Sequence, residues 1–278
     1  MLPSAIIYVY DNDSQDQTAI IAKNSGAVVR KITHKGKGNV VRQMFADIDA
    51  DIYVLVDGDD TYQANSSLIM IEELVNEHLD MVVAIRQAVQ QEAFRKGHRF
   101  GNHLMTNFVS YLFNYNCSDV LSGYRVFSRR FVKSFPVLST GFEIEIELTI
   151  HAFELRMPVG EVSTLYKSRL QGSTSKLNTY RDGLRIFNTI HNLFRQERPL
   201  TYYGILSLIL AITSLLLAIP IINTYLYTGL VPRFPTAFLS MGIMLLAVIS
   251  LVCGLILDTV TRGRNEIKRL FYLSIKSF

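Results

Sequence analysis

Apolar and polar positions along this chain change period many times, and each change marks a predicted element. Short runs rich in β-branched and aromatic residues at 5–10, 27–32, 51–56, 80–85, 123–127 and 159–165 read as strands. Between them, residues 17–24, 38–47, 66–77, 100–113 and 143–155 carry apolar side chains at helical spacing. Gly26 follows the first of these helices, where a left-handed C-terminal residue belongs. Strand-helix alternation predicts an α/β domain with a parallel sheet and helices on both faces.

After residue 200 the pattern changes. Residues 202–227 and 235–257 contain no charged side chain, and each exceeds the roughly 20 apolar residues that a bilayer span needs. Pro220 predicts a kink near the end of the first span. Residues 178–199 carry Leu184, Phe187, Ile190, Leu193 and Phe194 at helical spacing. That stretch is either an amphipathic helix on the membrane surface or a helix packed on the globular domain. The predicted organisation is therefore a domain at 1–177, a juxtamembrane helix at 178–199, and a two-span hairpin with a basic tail at 200–278.

Composition adds orientation. Arg181, Arg185, Arg195 and Arg198 precede the first span, and Arg262, Arg264, Lys268 and Arg269 follow the second. The connector offers only Arg233, so the positive-inside bias places both chain ends in the cytoplasm. The formal net charge of +4 lies beside the spans and indicates anionic headgroups more than nucleic acid, for which no motif is visible. Cys117 and Cys253 fall in different regions and are not expected to pair. The first residues have neither the basic nor the apolar segment of a signal peptide.

Candidate chemistry gathers where strands end. The run Tyr53 to Val56 delivers Asp57-Gly58-Asp59-Asp60, at the strand edge where open α/β sheets bind ligands. Asp57 and Asp59 are two apart, and Gly58 is expected to let the backbone turn so that both reach one hard cation. The first strand ends at Asp11, whose carboxylate either contacts a base or ribose or closes a local Asx turn. His34-Lys35-Gly36-Lys37-Gly38 is a glycine-punctuated basic turn opening a helix, which suits anion binding. Arg95, Lys96, His98 and Arg99 are expected in a loop able to close over an anion. Arg169, Ser173, Ser175 and Lys176 stand just before the juxtamembrane stretch, within reach of a lipid phosphate.

Together these segments resemble the family 2 glycosyltransferases, inverting enzymes with the nucleotide-sugar-binding GT-A fold, and most closely the polyprenyl-phosphate sugar transferases. DNDSQDQT (11–18) is similar to that family's DNxSxDxT, HKGKGNVVRQM to its GKGxAxxxG-like helix start, and VDGDDTY to its DxD motif. SDVLSGYRVFSRR (118–130) resembles DxxSGFRxxxR, and RLQGSTSKL resembles RxxGxSKL. The resemblance covers nearly the whole chain, including the paired spans.

The resemblance implies roles. Asp57 and Asp59 would hold Mg²⁺ or Mn²⁺ against the donor diphosphate, Asp11 would contact the base, and Lys37 would bind the nucleotide sugar. Asp119 would be the general base, with Glu143 or Glu145 as substitutes. Arg125, Arg169, Ser173 and Lys176 would contact donor or acceptor phosphates. The implied partners are a nucleotide-sugar donor, a polyprenyl-phosphate acceptor, the membrane and a second copy of the chain, and no nucleic acid. A phosphate monoester has a second pKa near 6 and is largely dianionic at neutral pH. Such an acceptor needs little help from a base, so Asp119 would then position Arg125 or the metal. The chain departs from the family in lacking the leading strand with a PxYNE-like segment, which would leave unpaired sheet edges. Two alternatives are a processive polysaccharide synthase, which would need a QxxRW motif that a chain without Trp lacks, and a non-catalytic membrane scaffold.

Overall fold

The structure is a computed structural model that describes residues 5–88, 96–113, 117–137, 139–141, 143–167, 188–189 and 191–276. Strands β1 (Tyr8–Asp11) and β2 (Val28–Lys31) pair in parallel, with Tyr8 opposite Val28. Helix α1 (Thr18–Asn24) makes the crossover between them. Helix α2 (Lys37–Asp47) then leads into a second sheet. That sheet contains β3 (Ile52–Leu55), β4 (Met81–Ala88), β5 (Arg125–Ser128) and β6 (Val159–Tyr166), in the order β3-β5-β4-β6. Helices α3 (Ser66–Asn76), α4 (Lys96–Phe113), α5 (Arg129–Ser134) and α6 (Ile144–Glu154) connect and cover these strands.

Two features differ from a parallel sheet. β5 runs antiparallel to both neighbours, Tyr53 lying opposite Phe127 and Val82 opposite Val126. Its entry therefore lies beside the end of β3 and the middle of β4: Arg125 stands opposite Leu55 and Val83, and the Ala84 amide donates to the Tyr124 carbonyl. This reversal carries the segment from Asp119 to Tyr124 past the same edge that bears Asp57. Second, among the described residues no ladder joins β1-β2 to the four-stranded sheet. Ile6, Ile7, Val54 and Val56 are exposed.

The core forms where α3 crosses the larger sheet. Met70 and Leu74 of α3 pack with Val82, Ala84, Val126, Tyr62 and Tyr124, all fully or nearly buried. A second cluster stacks Phe127 on Phe131 at 4.6 Å, sets Phe45 edge-on to Phe127 and Phe135, and tilts Phe135 against Phe131. Helix α5 was not expected from the sequence. Six residues give too little periodicity to see, and its start is fixed locally by Ser128 Oγ, which accepts from the Phe131 amide at 3.0 Å.

Helices α7 (Pro199–Thr228) and α8 (Phe234–Ser274) contain the two expected spans. Both are long and apolar enough to cross a membrane, and most of their apolar side chains are exposed. α7 continues through Pro220 and ends at Gly229, whose φ of 69° is the left-handed conformation that glycine adopts readily. Ser214 and Ser240 exchange hydrogen bonds with each other's carbonyls at 2.7 and 3.0 Å, tying the helices together. Helical backbone is also present over 191–197, with Leu193 buried; the rest of the juxtamembrane stretch, 178–187 and 190, lies outside the described residues. The chain divides into two compact units, Met1–Ile186 with Lys268–Phe278, and Phe187–Ile267. The basic tail is thus helical, and its end groups with the globular unit rather than with the spans.

Candidate active site

Strand β3 stops at Leu55, so Asp57 leaves the sheet at its carboxyl edge. Lys37 is the first residue of α2, and the glycines on either side of it permit close backbone approach. A Cβ at Gly36 or Gly38 would collide with the carbonyl oxygens of Thr140 and Ser139. The Gly38 amide donates to the Gly141 carbonyl at 3.1 Å. The glycine-rich turn is therefore a packing joint with the 139–141 segment. That corrects the expectation of an open anion-binding helix start, because backbone carbonyls already occupy the approach.

The joint aims the Lys37 side chain inward. Its ammonium sits 2.5 Å from Asp57 Oδ1 and 2.5 Å from Glu145 Oε1 in the first turn of α6. Lys37 and Glu145 are both largely buried. Burial pulls the Lys37 pKa down, but the two carboxylates outweigh it and hold the ammonium above its ordinary value. Burial pushes Glu145 above the usual carboxylate value, with Lys37 opposing. Glu145 Oε2 is buried and has no hydrogen-bond partner among the described atoms. Gly123 lies against the pair, since a Cβ there would strike Asp57 Oδ2 and lie 3.0 Å from Lys37 Nζ.

Asp59 follows on the same loop and accepts from Thr61 Oγ1 at 2.6 Å and from the Thr61 amide at 3.3 Å. The left-handed residue of this turn is Asp60, at φ 56°, and not Gly58, which corrects the expected reason for the bend. Asp residues tolerate this region because their short side chains bond locally. Among the described residues, no group of three or more His, Cys, Asp or Glu side chains surrounds a common metal position. Asp57 and Asp59 both supply carboxylate oxygens, the donor type that hard divalent cations accept when substrate phosphates supply the remaining ligands.

Asp119 is 4% exposed and grips Arg86 with both oxygens, at 2.6 and 2.7 Å. Burial lowers the Arg86 pKa, and Asp119 more than reverses this. The partner expected for Asp119 was Arg125, which is elsewhere. Arg125 is fully buried and donates to the carbonyls of Ser122 at 2.9 Å and Val120 at 2.6 Å, and to Thr149 Oγ1 at 2.9 Å. Its guanidinium braces the Val120–Ser122 turn from inside, which corrects the expectation of a phosphate contact.

The remaining candidates are spread out. Asp11 is buried and accepts from the Ser14 amide at 3.0 Å, the Asx-turn alternative. Glu143 precedes α6 and is exposed, with its carboxylate beside Gly141. Lys96, His98 and Arg99 belong to α4 rather than to a loop, and Arg95 lies outside the described residues. Arg169, Ser173 and Lys176 also lie outside them. Sequence reasoning missed Arg86, and it placed Lys37 and Glu145 without seeing that they meet.

The family model described as "Glycosyl transferase family 2" matches residues 5–135. An uncharacterized protein of Shigella flexneri is 58% identical over 159 residues, 57% of this chain and 98% of that protein. Glycosyltransferase AglJ of Haloferax volcanii is 30% identical over 269 residues, 96% of this chain and 88% of AglJ. A dolichyl-phosphate hexose transferase of the same organism is 27% identical over 186 residues, 66% of this chain and 79% of that protein. Among solved structures, the glucosyl-3-phosphoglycerate synthase of Mycobacterium tuberculosis with Mn²⁺, UDP and its product aligns at TM-score 0.53 and 22% identity. The alignment covers 68% of this chain and 67% of that one, and shows a shared GT-A fold. The chain belongs to glycosyl transferase family 2 and is a glycosyltransferase.

Proposed function

We propose that this chain transfers a single sugar from a nucleotide-sugar donor to a polyprenyl phosphate at the cytoplasmic membrane surface, with inversion at the anomeric carbon. The observation that carries the reading is the Lys37 ammonium fixed between Asp57 and Glu145 at the carboxyl edge of β3. It puts a buried cation beside the DxD loop, on a chain with two helices long enough to span a bilayer. The name of the dolichyl-phosphate hexose transferase relative supports the lipid acceptor, and the UDP and Mn²⁺ of the structural neighbour support a metal-assisted nucleotide donor. The arginines flanking the spans support cytoplasmic ends.

In this reading an acceptor phosphate oxygen attacks the anomeric carbon on the face opposite the donor diphosphate. The new C–O bond forms as the bond to the diphosphate breaks, and the nucleoside diphosphate leaves with the electron pair. Asp57 and Asp59 would hold Mg²⁺ or Mn²⁺, whose chemistry is charge neutralisation at the leaving diphosphate. Lys37 adds a fixed positive charge there without reorganisation. Glu145 holds Lys37 and offers Oε2 to a donor hydroxyl. Asp119 holds Arg86 with both oxygens, so in this reading it orients that guanidinium toward the acceptor phosphate, and a dianionic phosphate needs little help from a base.

Calorimetric titration of the detergent-purified chain with UDP and with GDP, each with and without Mn²⁺, tests the donor half. Metal-dependent binding of one nucleotide is expected, and binding of neither overturns it. Transfer of labelled sugar from that nucleotide to polyprenyl phosphate in vesicles tests the acceptor half.

A further inference from the structure

Tyr62 has no part in the proposed chemistry, yet its contacts reach both halves of the site. It is buried, at 6% exposure. Its hydroxyl accepts from the Gly123 amide at 3.0 Å and lies 3.5 Å from Ser122 Oγ. Gly123 is the residue against which Asp57 and Lys37 pack. The Tyr62 ring meets Tyr166 edge-on at 5.1 Å and Tyr124 edge-on at 5.3 Å. Tyr166 in turn carries the Arg86 guanidinium 5.6 Å from its ring centre, and Arg86 is the cation that Asp119 grips.

The backbone repeats the connection. Tyr62 forms an isolated antiparallel bridge with Tyr166 at the end of β6. The Lys167 amide donates to the Thr61 carbonyl at 2.9 Å, and the Thr61 hydroxyl donates to Asp59 at 2.6 Å. A shift of Tyr62 therefore moves the loop bearing Asp57 and Asp59 relative to the Ser122–Gly123 turn and to the tyrosine beside Arg86. A buried phenol needs a hydrogen-bond partner, and ring packing alone would be served by phenylalanine. Here the partner is the Gly123 amide, so the hydroxyl ties the metal-side loop to the turn behind Lys37.

We propose that Tyr62 is a positioning residue which sets the register between the donor side, Asp57 and Lys37, and the acceptor side, Arg86 and Asp119. The proposal rests on the reading that Arg86 faces an acceptor phosphate. In-line attack needs the phosphate oxygen in contact with the anomeric carbon, on the face opposite the diphosphate. Misplacement by about 1 Å can cost about a hundredfold in rate. Water attacking the same carbon does not depend on Arg86. Its oxygen bonds to the anomeric carbon, the bond to the diphosphate breaks with the electron pair leaving on the nucleoside diphosphate, and a proton passes to solvent. A loosened register should thus depress transfer more than donor hydrolysis. The ratio of the two reports alignment whatever fraction of the protein is folded.

The test compares Tyr62→Phe and Tyr124→Phe with the unaltered chain in vesicles containing polyprenyl phosphate. Tyr62→Phe keeps the ring and removes the hydroxyl. Tyr124→Phe removes a hydroxyl from the same cluster, one that donates to the Ala64 carbonyl at 3.2 Å, and so controls for the loss of a phenol from the core. Labelled sugar is counted in lipid and in water, nucleotide affinity is titrated, and amide hydrogen exchange is followed over residues 119–124. For Tyr62→Phe the ratio of transfer to hydrolysis should fall by about tenfold or more, with nucleotide affinity unchanged and exchange at 119–124 faster. For Tyr124→Phe the ratio should stay as it was. Transfer and hydrolysis that fall in proportion, an unchanged ratio, or an equal fall in Tyr124→Phe would overturn the proposal. Where hydrolysis is too slow to count, kcat at saturating acceptor takes its place, and a fall confined to Tyr62→Phe is the supporting result. If the unaltered chain transfers to no polyprenyl phosphate, the acceptor reading has failed on its own. Exchange then decides the tie: faster exchange in Tyr62→Phe supports it, and unchanged exchange refutes it.

Discussion

Replacing Lys37 with Met removes the cation from the candidate site while keeping most of its volume. Glu145, 6% exposed, would then be buried without its counter-charge and would respond by taking up a proton. Keeping it protonated at pH 7 against an ordinary value of 4.5 costs about 3 kcal/mol, at about 1.4 kcal/mol per pH unit. At pH 5 the same cost falls below about 1 kcal/mol. The Asp57 arm adds little, because that side chain is 36% exposed and an exposed pair contributes about 0–1 kcal/mol. An acid whose folded pKa is raised favours the folded state at low pH and loses that contribution as pH rises. In the unaltered chain Lys37 restrains this rise in Glu145, and the ammonium's own contribution is complete below 10.5 and lost only as pH climbs through its higher folded value. The deficit of Lys37→Met should therefore be largest above pH 7 and shrink toward pH 5. For a unit of this size, about 3 kcal/mol corresponds to a thermal midpoint lower by about 6–12 °C. Near-ultraviolet circular dichroism of the tyrosines in detergent would follow it. The double variant Lys37→Met/Glu145→Gln should recover most of the loss, because it removes the stranded carboxylate as well. A deficit equal at pH 5 and pH 8, or no recovery in the double variant, would refute a buried, coupled Lys37–Glu145 pair.

The other predictions separate contact from support. Asp59→Ala should abolish transfer and metal-dependent nucleotide binding with the circular dichroism spectrum unchanged; full activity would remove the metal role. Arg125→Met should lower stability by about 3 kcal/mol, since three charge-assisted bonds to buried acceptors are lost, and a stable variant that cannot transfer would show instead that Arg125 touches substrate. Asp119→Asn should raise the KM for the acceptor while leaving the pH profile of kcat without a lost basic limb, whereas loss of that limb would make Asp119 the base. Gly123→Ala should weaken nucleotide binding by displacing Asp57 and Lys37, measured by the same titration.

Much of the fold is legible because each strand is a β-branched run that ends in turn residues, and the two apolar segments carry no charge over their whole length. The direction of β5 is not legible, since a period-two pattern reads the same whichever way a strand runs. Motif matching identified Asp57, Lys37 and Glu145 separately, but 108 positions separate Lys37 from Glu145 and no local signal joins them. Arg86 was missed because the predicted strand stopped at Ile85, one residue short. Arg125 misled for a physical reason. An arginine beside glycine in a polar turn looks like a phosphate ligand, yet the next residues, Val126 and Phe127, are the central buried strand, and the guanidinium follows them inward.

The arrangement of carboxylates narrows the chemistry of the acceptor. A family enzyme working on an alcohol must find a carboxylate able to take its proton, within hydrogen-bond reach and not already neutralised. Here Asp119 is bound by both oxygens to Arg86, and Glu145 shares its proton economy with Lys37. Glu143 is exposed at the start of α6. Asp119 and Glu145 are each paired with a cation, so their contribution is to hold that cation in place. Fixed positive charge is what two phosphates meeting in one cleft require, because donor diphosphate and acceptor phosphate repel one another until cations intervene. On the proposed reading, Lys37 would serve the donor side and Arg86 the acceptor side, Lys37 held by Asp57 and Glu145 and Arg86 by Asp119. On the proposed reading, the pairing of Asp119 and Glu145 with cations favours an acceptor that arrives already ionised.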